Sequence, residues 1–148
     1  MSPSGPVISF TLPVSHDQHV AGRQVVRRAA RLQGLIRLEN ATLVIEWSGT
    51  IEWTEVRGPE VETRTEAVPA TRREIPVGRL ADVSVGGWWR PRFELRATDL
   101  EALNGVPAAE NGRWSLRISR AERRMANELV LNLRDEMADA ALRAAEGE

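Results

Sequence analysis

From Leu32 to Ile118 the chain alternates apolar and polar residues with the two-residue period of β-strands, and after Ser119 the period becomes that of a helix. Leu32, Gly34, Ile36 and Leu38 share one face, with Gln33 and Arg37 opposite, before a tight turn at Glu39-Asn40-Ala41-Thr42. Leu43, Ile45, Trp47, Ile51 and Trp53 then keep one parity, while Val44, Glu46, Ser48, Thr50, Glu52 and Thr54 keep the other. The parity survives Gly49, which predicts one long strand bent at a glycine rather than a hairpin. Arg57-Gly58-Pro59-Glu60 predicts the next turn, followed by a return strand from Val61 to Ala67. Its alternating Glu62, Arg64 and Glu66 against Thr63 and Thr65 mark an edge, where charge discourages further pairing. Arg72–Val77, Leu80–Val85, Phe93–Ala97 and Trp114–Ile118 read as four more strands. Gly86–Pro91 and Asn111-Gly112 read as turns, and Thr98–Asn104 as a short helix stopped by Gly105.

The C-terminal helix has a defined start. Ser119 and Glu122 hold the spacing of a capping box, in which the serine oxygen accepts a first-turn N–H and the glutamate reaches back to the cap. Met125, Leu129, Leu133 and Met137 form its packing stripe. About 25 residues at 1.5 Å each give roughly 37 Å, long enough for the segment after Met137 to outrun a small sheet. At the other end, Ile8, Phe10 and Leu12 predict a short strand. Ser15–Arg31 reads two ways. Ser15 and Gln18 match a capping box and Val25, Val26, Ala29, Ala30 and Leu32 a helical face, whereas the β-branched pair and Gly22 favour extended chain. The expected organisation is a lead over residues 1–31 and one domain over 32–148, mainly β with one long terminal helix.

Composition narrows the class. The chain has 148 residues, 42% of them hydrophobic, a net charge of −1 and no cysteine. That is enough for an independent core without disulfides, and it excludes a thiolate zinc site. All 20 basic residues are arginine. The near-neutral balance argues against a nucleic-acid binder relying on a basic field. No apolar run reaches the length of a transmembrane helix and no signal peptide is recognisable, so a cytoplasmic location is expected.

The strand order, Arg73-Glu74-Ile75-Pro76-Val77-Gly78-Arg79-Leu80-Ala81-Asp82-Val83-Ser84-Val85, and the runs Pro91–Ala97, Leu103–Pro107 and Leu116–Arg120 resemble small bacterial members of the pleckstrin-homology-like (PH-like) superfamily. The resemblance spans roughly residues 32–140 and implies an antiparallel β-barrel or sandwich of about seven strands capped by one C-terminal helix. It implies a non-catalytic binding or assembly module whose partner is a protein or peptide, or a second copy of the chain. It does not extend to specific phosphoinositide binding. Binders of that kind carry several basic residues in the first hairpin, where this chain has Glu39-Asn40-Ala41-Thr42 and then Glu46. A multiply charged headgroup needs convergent cationic donors. A helix-grip barrel holding an apolar ligand beneath the helix, and a peripheral membrane module, are the alternatives.

Candidate chemistry is sparse. No nucleophile elbow or phosphate loop is present, and no cofactor or metal is expected. His16-Asp17-Gln18-His19 is the only histidine pair, at a spacing that a metal site could use but lacking a further ligand. Glu46, Glu52, Glu55, Glu60, Glu62 and Glu66 read as a solvent-facing charged surface rather than an acid–base pair. Trp88, Trp89, Arg90 and Arg92 form the best interaction candidate, because tryptophan and arginine most often anchor interfaces. Neighbouring strand residues face opposite ways, so at most one of the two tryptophans is expected in the core.

Overall fold

The computed structural model describes residues 5–21 and 24–147, with the backbone alone for 13–21. In order, the elements are β1 (Val7–Ala21), β2 (Gln24–Glu39), β3 (Thr42–Arg57), β4 (Glu60–Pro76), a 3₁₀ turn (Val77–Arg79), β5 (Leu80–Gly86), β6 (Arg92–Ala97), β7 (Arg113–Arg117), a second 3₁₀ turn (Arg120–Glu122) and α1 (Arg123–Glu146). The strands form two antiparallel sheets, ordered β1-β2-β3-β4 and β5-β6-β7, and do not close into a barrel.

The chain divides into two compact units. The first comprises Met1–Phe10, Leu35–Glu46 and Arg72–Glu148; the second comprises Thr11–Gly34 and Trp47–Thr71. Each of β1–β4 contributes residues to both.

The first unit has a dense apolar core. Ile8, Phe10, Ile36, Leu43, Ile45, Ile75, Val83, Phe93, Trp114, Leu116, Leu129 and Leu133 are all essentially buried. Full burial of each large side chain stabilises by about 1.5–3 kcal/mol. The β2–β3 hairpin turns through Asn40 and Ala41, both at positive φ (50° and 57°), as a two-residue hairpin matching strand twist requires. Val44 is buried along with Leu43 and Ile45, so both faces of β3 are covered there and its parity distinguishes no outside.

In the three-stranded sheet β6 is central, with Val83 opposite Leu95 and Phe93 opposite Leu116. α1 packs on β5, and Arg134 Nε donates to the Val83 carbonyl at 3.2 Å. The helix thereby gives a hydrogen-bond donor to a strand at the end of its sheet. Its buried residues are Ala126, Leu129, Val130 and Leu133. Met125 is 39% exposed and Met137 half-buried, so the stripe is rotated from the expected one about the shared Leu129 and Leu133.

In the second unit only Leu12 and Trp47 are buried among the described side chains. Residues 15–21 and 24–31 are strand, not helix; the β-branched Val25 and Val26 suit a pleated surface better than a helical turn. Residue 31, the expected end of the lead, lies within β2. β3 runs unbroken through Gly49, where an added Cβ would lie 2.1 Å from the Arg31 carbonyl oxygen. The predicted strands Val61–Ala67 and Arg72–Val77 prove to be one, β4, at the end of its sheet.

Thr98–Asn104 is a series of turns rather than a helix. Asp99 Oδ1 accepts from Ala102 N at 2.8 Å, the bond a helix cap would make, but Gly105 at φ 85° ends the segment at once.

Candidate functional site

The loop between β5 and β6 carries Trp88 and Trp89, and both are exposed, at 82% and 63%. Neither enters the core, within the expectation of at most one. The buried aromatic position belongs to Trp114, which meets Phe10 edge-on at 5.4 Å and donates its indole N–H to the Pro107 carbonyl at 2.8 Å. With Phe93, Leu95 and Leu116 filling the rest of the sheet's inner face, the loop has nothing to bury its rings against.

The loop backbone is nevertheless held. Gly87 adopts φ 81°, and a Cβ there would sit 2.3 Å from the Arg90 carbonyl oxygen, so the turn requires glycine. Gly86 pairs with Arg92 at the loop's base, and Ile118 N donates to the Pro91 carbonyl at 3.0 Å. Arg123 Nη1 donates to the Trp88 carbonyl at 3.1 Å, and Arg120 Nε to the Trp89 carbonyl at 3.2 Å. The Arg120 guanidinium also lies 4.0 Å from the centre of the Trp89 ring, within cation–π range. The two indoles stand 6.2 Å apart, tilted by 42°. Arg90 and Arg92 are exposed, and Arg92 Nε donates to Ser115 Oγ at 3.0 Å. The positions of Arg120 and Arg123 as supports of this loop have no sequence signal, since they follow β7 and lie 31 and 35 residues from the carbonyls they hold.

The start of the helix is fixed by a different exchange from the expected box. Ser119 Oγ accepts from Glu122 N at 3.3 Å. The Glu122 carboxylate does not return to Ser119. It accepts from Ser9 N at 2.7 Å and from Ser9 Oγ at 2.6 Å, tying the helix entry to β1. A charged acceptor for two donors is stronger than the local bond it replaces.

The remaining candidates divide. Glu46 receives Arg37 at 3.0 Å and Arg72 at 3.2 Å, and these arginines also reach Glu39 and Glu74. The Arg37 hydrogen bond holds the Glu46 carboxyl below the usual glutamate range, fixing it as an anion rather than a proton carrier. Glu55 accepts from Gln24 and from Arg57, in the second unit. Glu52, Glu60, Glu62 and Glu66 are exposed. The side chains of His16, Asp17, Gln18 and His19 lie outside the described residues. Among the described residues no group of three His, Cys, Asp or Glu side chains is placed to hold a metal, and no helix is long and apolar enough to cross a membrane.

An open cavity of about 450 Å³ lies on β5–β6–β7, lined by Asp82, Ser84, Glu94, Leu95, Arg96, Arg113, Trp114 and Ser115. The signal for this surface was present in the sequence: Arg92 and Arg96, and again Arg113 and Arg117, stand four apart on strands whose intervening Phe93, Leu95, Trp114 and Leu116 alternate inward. Comparison with protein-family models, curated proteins and solved structures finds no match.

Proposed function

We propose that this protein is a non-catalytic binding or assembly module that engages a protein or peptide partner, or another copy of itself, through the Trp88–Trp89 loop. One observation carries the reading: two adjacent tryptophans point into solvent from a loop whose carbonyls are pinned by Arg120 and Arg123. Burying a large apolar side chain is worth about 1.5–3 kcal/mol, so the pair leaves several kcal/mol for a partner to realise. A backbone already held in place loses little freedom on binding. The PH-like identity belongs to the same proposal, supported by the order of seven antiparallel strands followed by one helix. The apolar-ligand alternative has less to draw on, because Leu129, Val130 and Leu133 are buried beneath α1 and the lining of the cavity on β5–β7 is mainly polar and charged.

The test is paired. Trp88→Ala and Trp89→Ala should each change folding stability by no more than about 0.5 kcal/mol, as surface substitutions do. Each should weaken self-association in sedimentation velocity, or capture of a partner by immobilised protein, by at least about 2 kcal/mol, the size of an interface anchor. Unchanged association and capture would overturn the reading. A large fall in melting temperature would assign the tryptophan to folding. Pelleting with anionic vesicles at low salt, in place of protein capture, would move the surface to a membrane role.

A further inference from the structure

The arginines of this chain are treated in two ways. Arg37 and Arg72 are matched to Glu39, Glu46 and Glu74 on the strands beside them. On the solvent side of β5–β6–β7 the matching is incomplete, although Asp82 stands opposite Arg96 on β5. The register sets Arg92 directly opposite Arg117, and Arg96 directly opposite Arg113. All four are exposed, and none is in an ion pair with a described carboxylate; Arg92 reaches only Ser115. Like charges directly across a strand pair are destabilising, with Cβ atoms about 4.5–5.5 Å apart. Exchanging either member of a pair for serine or threonine would relieve this within the chain; the cost is offset in part by Asp82 opposite Arg96 and is uncompensated at Arg92, whose partner on β5 is Gly86.

We infer that this face docks an acidic protein segment in extended conformation, with two carboxylate side chains four residues apart. Each arginine pair receives one carboxylate, as guanidinium forks do with high geometric specificity. The spacing sets the pattern. Arg92 and Arg96 stand about 13 Å apart at roughly 3.3 Å per strand residue, and an extended ligand repeats its acidic groups at that distance when they are four residues apart. Between the pairs lie Glu94 and, opposite it, Ser84 and Ser115. The middle ligand residue, two from each acid, faces Glu94 and takes a lysine, arginine or hydroxyl side chain.

The same Glu94, with Asp82 opposite Arg96, argues against a uniform polyanion. A nucleic-acid backbone or an anionic bilayer would lay charge across Glu94. This docking face is independent of the Trp88–Trp89 reading and makes a separate prediction.

The probe is a fluorescent, end-blocked peptide with glutamate at the first and fifth positions of its core and lysine at the third, followed by anisotropy at low salt. Replacing both glutamates with glutamine should weaken binding by at least about tenfold, or 1.4 kcal/mol. Arg96→Gln combined with Arg113→Gln should do the same and leave the melting temperature at or above that of the parent. Arg92→Gln with Arg117→Gln provides a second variant should the first fail to fold. Arg124→Gln, removing one exposed helix charge, should leave peptide binding intact. Equal binding of the glutamate and glutamine peptides overturns the proposal. So does absence of binding by folded protein, or binding only to nucleic acid or anionic vesicles.

Discussion

The two units share four strands, but the first, which adds β5–β7 and α1, holds nearly all of the buried apolar side chains, and the second holds only Leu12 and Trp47 among the described ones. In the first, Phe93, Trp114 and Leu129 are sealed on every side. In the second, Trp53 is half-buried, with the Arg28 guanidinium 5.4 Å and the Arg64 guanidinium 5.8 Å from its ring. Its indole N–H has no acceptor among the described residues. The difference teaches that strand pairing continues where burial stops, provided that the backbone ladder is kept and the side chains cover one another locally.

The largest expected contrast follows directly. Phe93→Ala leaves a cavity in a filled core and should cost about 3–5 kcal/mol. Trp53→Ala removes a larger side chain, but gives up only partial burial and cation–π contacts worth about 0.5–1 kcal/mol each at exposed sites. It should cost less than half as much in urea denaturation. Amide hydrogen exchange provides the finer readout: Trp53→Ala should lower protection in β2–β4 residues of the second unit and leave β5–β7 unchanged. Equal costs for the two substitutions would dissolve the distinction between the units.

A smaller effect sharpens it. In the sparsely buried unit, Gly49 is a point of close approach: an added methyl would meet the Arg31 carbonyl oxygen at 2.1 Å and Leu32 Cδ2 at 2.8 Å. Gly49→Ala should cost about 1–3 kcal/mol through forced backbone displacement. Gly78, in the densely packed unit, has nothing within 4 Å of an added Cβ. Gly78→Ala should be neutral, or stabilising by up to about 1 kcal/mol through the unfolded chain. A neutral Gly49→Ala by thermal melting would show that β2 and β3 separate there at no cost.

What the sequence made legible tracks this contrast. The hairpin at Asn40-Ala41 and the passage of β3 through Gly49 followed from turn residues and parity. The outline of β5, β6 and β7 also followed, because one covered face imposes a strict alternation. β4 was split in two because Glu60–Thr71, apart from Val68, is exposed and leaves no apolar pattern to join it to Arg72–Pro76. The helix stripe was placed one residue off at its start: Met125 fits the spacing, but Ala126 is the residue small enough to approach the sheet, at 0% exposure. Of the candidate site, Trp88, Trp89, Arg90 and Arg92 were found as a cluster. That both rings lie outside was not readable, since it depends on Trp114 holding the core and on Arg120 and Arg123 gripping the loop from beyond β7.

The smallest expected effect separates the satisfied arginines from the unsatisfied ones. Glu46 joins Arg37 and Arg72 across three strands, and its carboxyl lies below its usual value of 4.5, first because of the Arg37 hydrogen bond. A carboxyl depressed in the folded state stabilises at any pH above its unfolded value, and that stabilisation is lost as pH falls through the folded value. Glu46→Gln should therefore cost some tenths of a kcal/mol, up to about 1, at neutral pH and low salt, as partly exposed ion pairs do. The deficit should close as pH is lowered below 4.5, where the parent also loses its charge, and should shrink at about 1 M salt, where screening acts within about 3 Å. Arg96→Gln should behave differently, with stability unchanged or slightly raised at low salt and any gain removed by screening, because it relieves repulsion from Arg113 and breaks no ion pair with Asp82 opposite it on β5. If the Glu46→Gln deficit persisted in acid and in salt, it would be a packing effect. If Arg96→Gln also destabilised the protein, the arginines of β6 and β7 would be satisfied within the chain, and the comparison between the two faces would fail together with the acidic segment inferred from it.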